Sequence, residues 1–225
     1  MRNTLPISVI IPALNASETI GHAISSVKDY VSEVIVVDGG SSDDTIRKAA
    51  EGGAIITDTL AGRGSQLKHG ASKAKSRYLL FLHADTRLRE GWAEEVAVFC
   101  KNKGEAGAFR FELDYSGYKA RALEKFVALR CRYLGWAWGD QGLVISRQLY
   151  ESVGGFRGDL VLFEDTDIIR RIGKKRLHIF EAGAVTSAQK YVRDGFIVRC
   201  SLNFLCLSAY LLGISPKGIK RFYGK

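Results

Sequence analysis

Between residues 7 and 82 the chain carries four short runs of β-branched and large apolar residues, each stopped by a polar or conformationally special residue. Ile7–Ile11 ends at Pro12, Glu33–Val37 at Asp38-Gly39-Gly40, Ala54–Thr57 before Asp58, and Arg77–Leu82 at His83-Ala84-Asp85. Runs that are apolar on both faces must be covered on both faces. The segments between them supply the cover. Ser17 to Tyr30 reads as a helix with Ser17 as its N-cap and Ile20, Ala23, Ile24 and Val27 on one side. Asp43 to Glu51 begins with acids, as a helix N-terminus favours. Arg63 to Lys75 reads as a third helix. Strands alternating with helices in this way predict an α/β domain with a Rossmann-like, mostly parallel sheet and helices on both sides.

The pattern loosens downstream. Helices are expected over 91–102, 118–134 and from 164 to 172, with strands over 106–113, 142–146 and 176–180. No Pro/Gly/Ser linker interrupts residues 1–195, so they read as one domain, followed by a C-terminal helical extension over 196–225. Phe196 to Ile214 is apolar on nearly every side, with Arg199 its one charge and Ser201, Asn203 and Ser208 its polar groups. The uninterrupted part, from Leu202, is short of the roughly 20 residues that a spanning helix needs. A helix packed on the domain, a helix on a membrane surface and a spanning segment are the three readings. The flanking Lys217, Lys220, Arg221 and Lys225 favour an anionic membrane surface over the third.

Charge bears on partners. The formal net charge is +9, but residues 187–225 hold seven basic side chains against Asp194 alone. The excess belongs mostly to the tail, unlike the basic stripe of a nucleic-acid binder. Cys100, Cys131, Cys200 and Cys206 form no C-x-x-C and no spacing with histidine for zinc. Free buried thiols in a reducing compartment are expected. No signal-peptide core precedes the first strand, so a cytoplasmic protein is expected, with peripheral contact at the inner face of the membrane an option.

Ligands of open α/β sheets bind beyond the carboxyl ends of the strands. The four strand ends should therefore share one rim. Asp38 can accept hydrogen bonds from a base or a ribose, and Gly39-Gly40 lets a ligand approach the backbone. Arg63 can reach a phosphate or a base. Asp85 is placed to hold a divalent cation between two phosphates. Taken singly, Asp38 and Asp85 read equally well as turn and cap residues; together on one rim they read as a site. The phosphate loops G-x-G-x-x-G after a strand and G-x-x-x-x-G-K-[ST] are absent, which argues against a nicotinamide dehydrogenase and a P-loop kinase. Glu164, Asp165 and Asp167 follow the apolar Leu160–Phe163, where a carboxylate with a raised pKa can act as a general base; helix-start acids are the plainer alternative. Trp136, Trp138, Asp140 and Gln141 combine aromatic faces with polar groups, as a sugar or an amphipathic acceptor requires, although ordinary packing would look the same.

In order and spacing these segments resemble family 2 of the inverting nucleotide-sugar glycosyltransferases, which have the GT-A fold. The likeness is carried by Ser8–Asn15, Val34–Thr45, Leu80–Thr86, Gly154-Gly155-Phe156 and Phe163-Glu164-Asp165. The runs FLHADTRL, GAFRF, WGDQG and LFEDTDIIRRI resemble more closely a small bacterial subgroup, the arsenosugar-biosynthesis or radical-SAM/selenodomain-associated glycosyltransferases. The resemblance implies a nucleotide-binding half (1–110) and an acceptor half (111–195). It implies that Pro12, Ala13, Asn15, Asp38 and Gly40 line the base and ribose pocket, with Arg63 and Gln66 also contacting the nucleotide. Asp85 would bind Mn2+ or Mg2+ as part of a D-x-D element, Asp165 would be the general base with Glu164 beside it, and Trp138, Asp140 and Gln141 would face the acceptor or the sugar. His83 stands where the family has the first aspartate of D-x-D, and near Lys68 the subgroup usually has Asn.

The expectation is a metal-dependent transferase that moves a sugar from a nucleotide-diphosphate sugar to a hydroxyl of an acceptor whose identity the sequence leaves open. A sugar-phosphate nucleotidyltransferase should instead carry a Gly-rich basic loop after the first strand, where this chain has Pro12-Ala13-Leu14-Asn15. A catalytically inactive protein of the same fold, binding a membrane or partner through its tail, is the other alternative.

Overall fold

In the computed structural model residues 4–223 are described, with side chains through Arg221. Among them eight strands form one sheet: β1 (Leu5–Ala13), β2 (Val31–Asp38), β3 (Ile55–Asp58), β4 (Tyr78–Phe81), β5 (Thr86–Leu88), β6 (Ala106–Asp114), β7 (Leu143–Ser146) and β8 (Leu177–Ser187). Their order is β3-β2-β1-β4-β7-β6-β8-β5. β1 pairs in parallel with β2 and β4, and β2 with β3. β7 then runs antiparallel to both β4 and β6, β6 is parallel to β8, and β5 closes the far edge antiparallel to β8. The sheet is thus parallel in its first half and mixed in its second.

The period-2 alternation of β1 explains the layers. Ile7, Val9 and Ile11 face one core with α1 (Ile20–Ser25), α2 (Thr45–Glu51) and α4 (Trp92–Lys101). Ile10 faces the other, with α3 (Arg63–Lys73), α5 (Tyr118–Leu134), α6 (Arg147–Ser152) and α7 (Glu164–Ile172). α3 lies very close to the sheet. A Cβ on Gly70 would fall 2.4 Å from Ile10 Cγ2 and 2.8 Å from Val37 Cγ2, so only glycine permits this approach.

Three local expectations need correction. α1 starts at Ile20, and its N-cap, Thr19, makes no side-chain cap hydrogen bond; the Ser17 N–H instead donates to Asp43 Oδ2 at 3.1 Å. The strand expected over 176–180 continues to Ser187. The three-residue strand β5 follows His83-Ala84-Asp85, where no strand was expected.

After β8 comes α8 (Gln189–Asp194), and residues 196–225 contain α9 (Phe196–Leu211) and α10 (Pro216–Tyr223). Among the described residues no helix is long and apolar enough to cross a membrane. α9 buries Cys206 and Leu207, and Tyr210 stacks on Phe163 with ring centroids 4.7 Å apart. It therefore packs on the domain along one side while Ile197, Phe204, Leu205 and Leu212 stay exposed on the rest. Lys225 lies outside the described residues.

Candidate active site

The loop after β1 and the loop after β2 hold each other. Asn15 adopts φ 49°, its N–H donates to Ser41 Oγ at 2.9 Å, and its Oδ1 accepts from the Ser42 N–H at 2.9 Å. Asp38 is buried at the end of β2. Its Oδ2 accepts from the N–H groups of Gly40 and Ser41, both at 2.8 Å, and its Oδ1 from the Ser41 hydroxyl. Gly40, at φ 94°, supplies the left-handed turn this requires. Gln66 sits beneath, nearly inaccessible. Its amide donates to the carbonyls of Ala13 and Val37, each at 2.8 Å, and clamps the ends of β1 and β2 together. Pro12, Ala13, Asn15, Asp38 and Gly40 therefore form one braced shelf, with Gln66 as its internal brace.

A cavity of about 310 Å³, whose lining includes none of the shelf residues, brings together residues from six segments. Arg63, His83, Asp85, Trp138, Asp140 and Asp165 all line it. Asp165 heads α7, where Oδ1 accepts from the Thr166 N–H at 2.6 Å and Oδ2 from the Gly139 N–H at 2.8 Å. Burial pushes its pKa up, but the Arg63 charge, these N–H groups and His83 outweigh that and leave it below the usual aspartate value. The raised pKa expected for this acidic cluster belongs to its neighbours. Glu164 is wholly buried and ion-paired with Arg63, with Oε2 lacking a partner; burial, against the pull of Arg63, raises its pKa. Asp140 is pushed up to about 6, first by burial and then, against the pull of Arg130, by the Asp165 and Asp85 charges. His83 is lowered to about 4 by burial and by Arg63, so at neutral pH it is an uncharged hydrogen-bonding group. Gly139 is squeezed between His83 and Asp165, since a Cβ there would lie 2.4 Å from His83 Nε2 and 3.2 Å from Asp165 Oδ2.

Gln141 does not reach the cavity. Its side chain is buried; Nε2 donates to the Phe109 carbonyl at 2.9 Å, and Oε1 accepts from Arg130 Nη2 at 3.1 Å and the Trp138 N–H at 3.2 Å. Arg130 in turn lies 3.5 Å from the centre of the Trp138 ring. This cluster fixes Trp138 and Asp140 at the wall, with Trp138 Nε1 and Asp140 Oδ1 buried and without partners. Such atoms mark where a ligand's polar groups or water would be accommodated.

Sequence reasoning missed the wall opposite. Thr186 and Ser187 at the end of β8 line the cavity, as do Arg199, Asn203, Cys206 and Leu207 of α9. The signal was present: Arg199 and Asn203 stand four apart in an otherwise apolar helix, on one side. Lys190 also lines the cavity, its Nζ 3.9 Å from Asp85 Oδ2.

Asp85 is one carboxylate, about one-third exposed. Among the described residues no three His, Cys, Asp or Glu side chains converge to hold a metal. A hard cation with one protein carboxylate, completing its shell from phosphate oxygens and water, is the usual arrangement for Mg2+ with phosphate ligands. The donor chemistry of Asp85 fits such an ion.

Comparison with known proteins bears on the fold and the family. An uncharacterized glycosyltransferase of Rickettsia felis is 36% identical over 91 residues, covering 40% of this chain and 32% of the relative. The glucosyl-3-phosphoglycerate synthase of Mycolicibacterium paratuberculosis is 34% identical over 92 residues, covering 35% and 28%. The chain thus spans about a third of the length of the curated relatives it matches. The fold matches that of the Mycobacterium tuberculosis glucosyl-3-phosphoglycerate synthase, solved with Mn2+, UDP and glucosyl-3-phosphoglycerate. The TM-score is 0.56 at 23% identity, covering 80% of this chain and 71% of the other. The profile of the glycosyl transferase family 2 domain matches residues 8–146, more than half of the chain. The chain belongs to glycosyl transferase family 2.

Proposed function

We propose that the protein transfers a sugar from a nucleotide-diphosphate sugar to an acceptor hydroxyl, with inversion at the anomeric carbon. The observation that carries this reading is the Asp165 carboxylate, oriented by two backbone N–H groups in the wall of a cavity that also holds Asp85 and Arg63. Asp165 is ionised at neutral pH and can take the proton of an acceptor hydroxyl. The oxygen attacks the anomeric carbon on the face opposite the leaving diphosphate. The bond to the diphosphate breaks as the new C–O bond forms, and a single displacement inverts the centre. Glu164 holds Arg63 in place, and Arg63 and Lys190 offer positive charge where the diphosphate gains negative charge. Asp85 would hold the Mn2+ or Mg2+, which when bound neutralises charge on the diphosphate.

The shelf of Pro12, Ala13, Asn15, Asp38 and Gly40 would take the nucleoside, making 1–110 the donor half and 111–195 the acceptor half. Trp138 and Asp140 would meet the sugar or the acceptor, with Gln141 and Gln66 acting through the groups they hold. The UDP and Mn2+ bound by the M. tuberculosis synthase support the donor and cation classes. The FLHADTRL and LFEDTDIIRRI runs are the support for the arsenosugar-biosynthesis subgroup. Four free cysteines suit a reducing cytoplasm.

Asp165→Asn keeps the shape and removes the base. Turnover of a nucleotide-sugar should fall about 10²–10⁴-fold, while calorimetric affinity for the nucleotide diphosphate with Mn2+ stays near wild type. Transfer at more than about a third of the wild-type rate excludes Asp165 as the base on that same scale. Absence of nucleotide-diphosphate binding by the wild-type protein would instead favour an inactive relative of the fold.

A further inference from the structure

The exposed apolar side chains of this protein are not scattered. Of the nineteen large ones among the described residues, fourteen lie in 115–134 and 192–214, about a fifth of the chain. Ten of them lie on α5 and α9. On α5 these are Tyr118, Phe126, Leu129, Tyr133 and Leu134; on α9 they include Ile197, Val198, Phe204 and Leu205. Isolated exposed apolar residues are ordinary, but a concentration of this kind marks an interaction surface. The N-terminal ends of the two helices are neighbours: the Tyr115 ring, three residues before α5, lies 5.2 Å from that of Phe196 at the start of α9. Both contribute to the core on one side of the sheet: Ala120, Val127 and Cys131 from α5, and Phe196 from α9.

The polar residues of the same surface decide what fits it. On the outer side of α5 the apolar residues are interleaved with Lys119, Arg121, Lys125 and Arg132, all exposed. Beyond α9 come the exposed Lys217, Lys220 and Arg221. In 115–134 and 192–221 no exposed residue is acidic; Glu124 is half-buried against Arg121, and Asp194 is held by Arg193 and Arg199. A second copy of this chain docked there would bring two sets of cations together. The aliphatic side chains between these cations offer nothing to a nucleic-acid backbone. Long cationic side chains beside aromatic and aliphatic ones match a lipid headgroup layer, where the stems lie along the acyl boundary and the charges reach anionic phosphates.

We propose that the outer face of α5 and α9 is a peripheral docking surface for an anionic lipid bilayer. It adds α5 to the tail that the sequence pointed to, and does not depend on the glycosyl-transfer reading. α9 lines the cavity with Asn203, Cys206 and Leu207 and turns Phe204 and Leu205 outward. Docking therefore leaves one helix, about 10 Å across, between the lipid surface and the cavity.

The test is co-sedimentation of the full chain with phosphatidylcholine vesicles, with and without about one-third phosphatidylserine. Binding should require phosphatidylserine and weaken as salt is raised. Lys125→Glu should reduce the partition coefficient about fivefold or more, and Phe126→Ser with Phe204→Ser by at least about tenfold. Lys125 and Phe126 are exposed, so thermal melts should match wild type, and Lys125→Glu carries the test if the serine variant folds poorly. No binding to phosphatidylserine vesicles at low salt overturns the proposal, as does wild-type partition by Lys125→Glu. A concentration-dependent dimer that the same substitutions dissolve also overturns it and assigns the face to self-association.

Discussion

Asp140→Asn should stabilise the protein at neutral pH while impairing it. The buried carboxyl is pushed up from 3.8 to about 6, and its Oδ1 has no hydrogen-bond partner. A carboxyl that binds its proton more tightly folded than unfolded contributes stability that is fully present below the unfolded value near 3.8. That contribution is lost as pH rises through about 6. Above that pH the folded state bears a buried charge, and the difference corresponds to about 3 kcal/mol. Asparagine has nearly the same shape and no charge to bury. Its amide loses about 1–2 kcal/mol if its N–H groups find no partner, so the net gain near pH 7.5 is about 1–2 kcal/mol. For a chain of this size that raises Tm by roughly 2–8 °C. The assay is thermal denaturation followed by circular dichroism at intervals from about pH 4.5 to 7.5. The decisive quantity is the gap between variant and wild type, in which other titrations largely cancel. It should widen in favour of the variant by several °C across that range. A gap that does not change with pH, or one that narrows, refutes the account of Asp140 as an uncompensated buried carboxylate. Transfer activity should fall in the same variant, because a destabilised polar group retained in a cavity wall is retained for what it contacts.

Asp85→Ala should leave the melting temperature within about 1 °C of wild type, since a partly exposed rim carboxylate contributes little to the core. It should also abolish most of the Mn2+ dependence of nucleotide-diphosphate affinity; unchanged dependence by calorimetry would put the cation elsewhere. Gly70→Ala drives a methyl into Ile10 and Val37 and should cost about 1–3 kcal/mol in denaturant titrations, whereas a neutral result would mean that α3 can lift from the sheet freely. Gln66→Leu removes both clamps between β1 and β2, although the Ala13 carbonyl keeps the Gly39 N–H. It should cost about 1–3 kcal/mol and weaken nucleotide binding in parallel, and full affinity at wild-type stability would contradict its role as a brace.

Much of the first 110 residues was legible because their strands are buried on both faces and written in β-branched residues. α5 and α7 were bounded correctly for a similar reason. Each ends just before a glycine in a left-handed or extended conformation, Gly135 at φ 67° and Gly173 at φ 79°, which stops a helix cleanly. β5 was invisible because three residues cannot display a period. The far end of β8 was hidden by an irregularity between Ala108 and Arg110 in its pairing with β6, where Glu95 accepts from the Glu181 and Ala182 N–H groups. In the site, residue type identified Arg63, Asp85, Asp140 and Asp165 as cavity groups, but polarity alone could not separate a ligand contact from a brace. Gln66 and Gln141 have the same appearance in sequence as contact residues, and only the fold reveals that their amides are occupied. The direction of the Asp165 pKa was likewise out of reach, because it depends on Arg63, a residue 102 positions earlier in the chain.

The placement of β5 has a consequence for synthesis on the ribosome. Thr86 pairs with Thr186 and Leu88 with Ala184, so the strand emerges nearly a hundred residues before its partner exists. At about 5–20 residues per second the wait is roughly 5–20 s. During that interval the nascent N-terminal segment can assemble β1 to β4, which pair among themselves, while Thr86–Leu88 has no strand to join. A chain stalled or cleaved after about residue 110 would carry that edge unsatisfied and available to other strands. The shortest strand in the sheet is thus the one that waits longest for its first partner, and its brevity limits how much unpaired backbone the growing chain exposes.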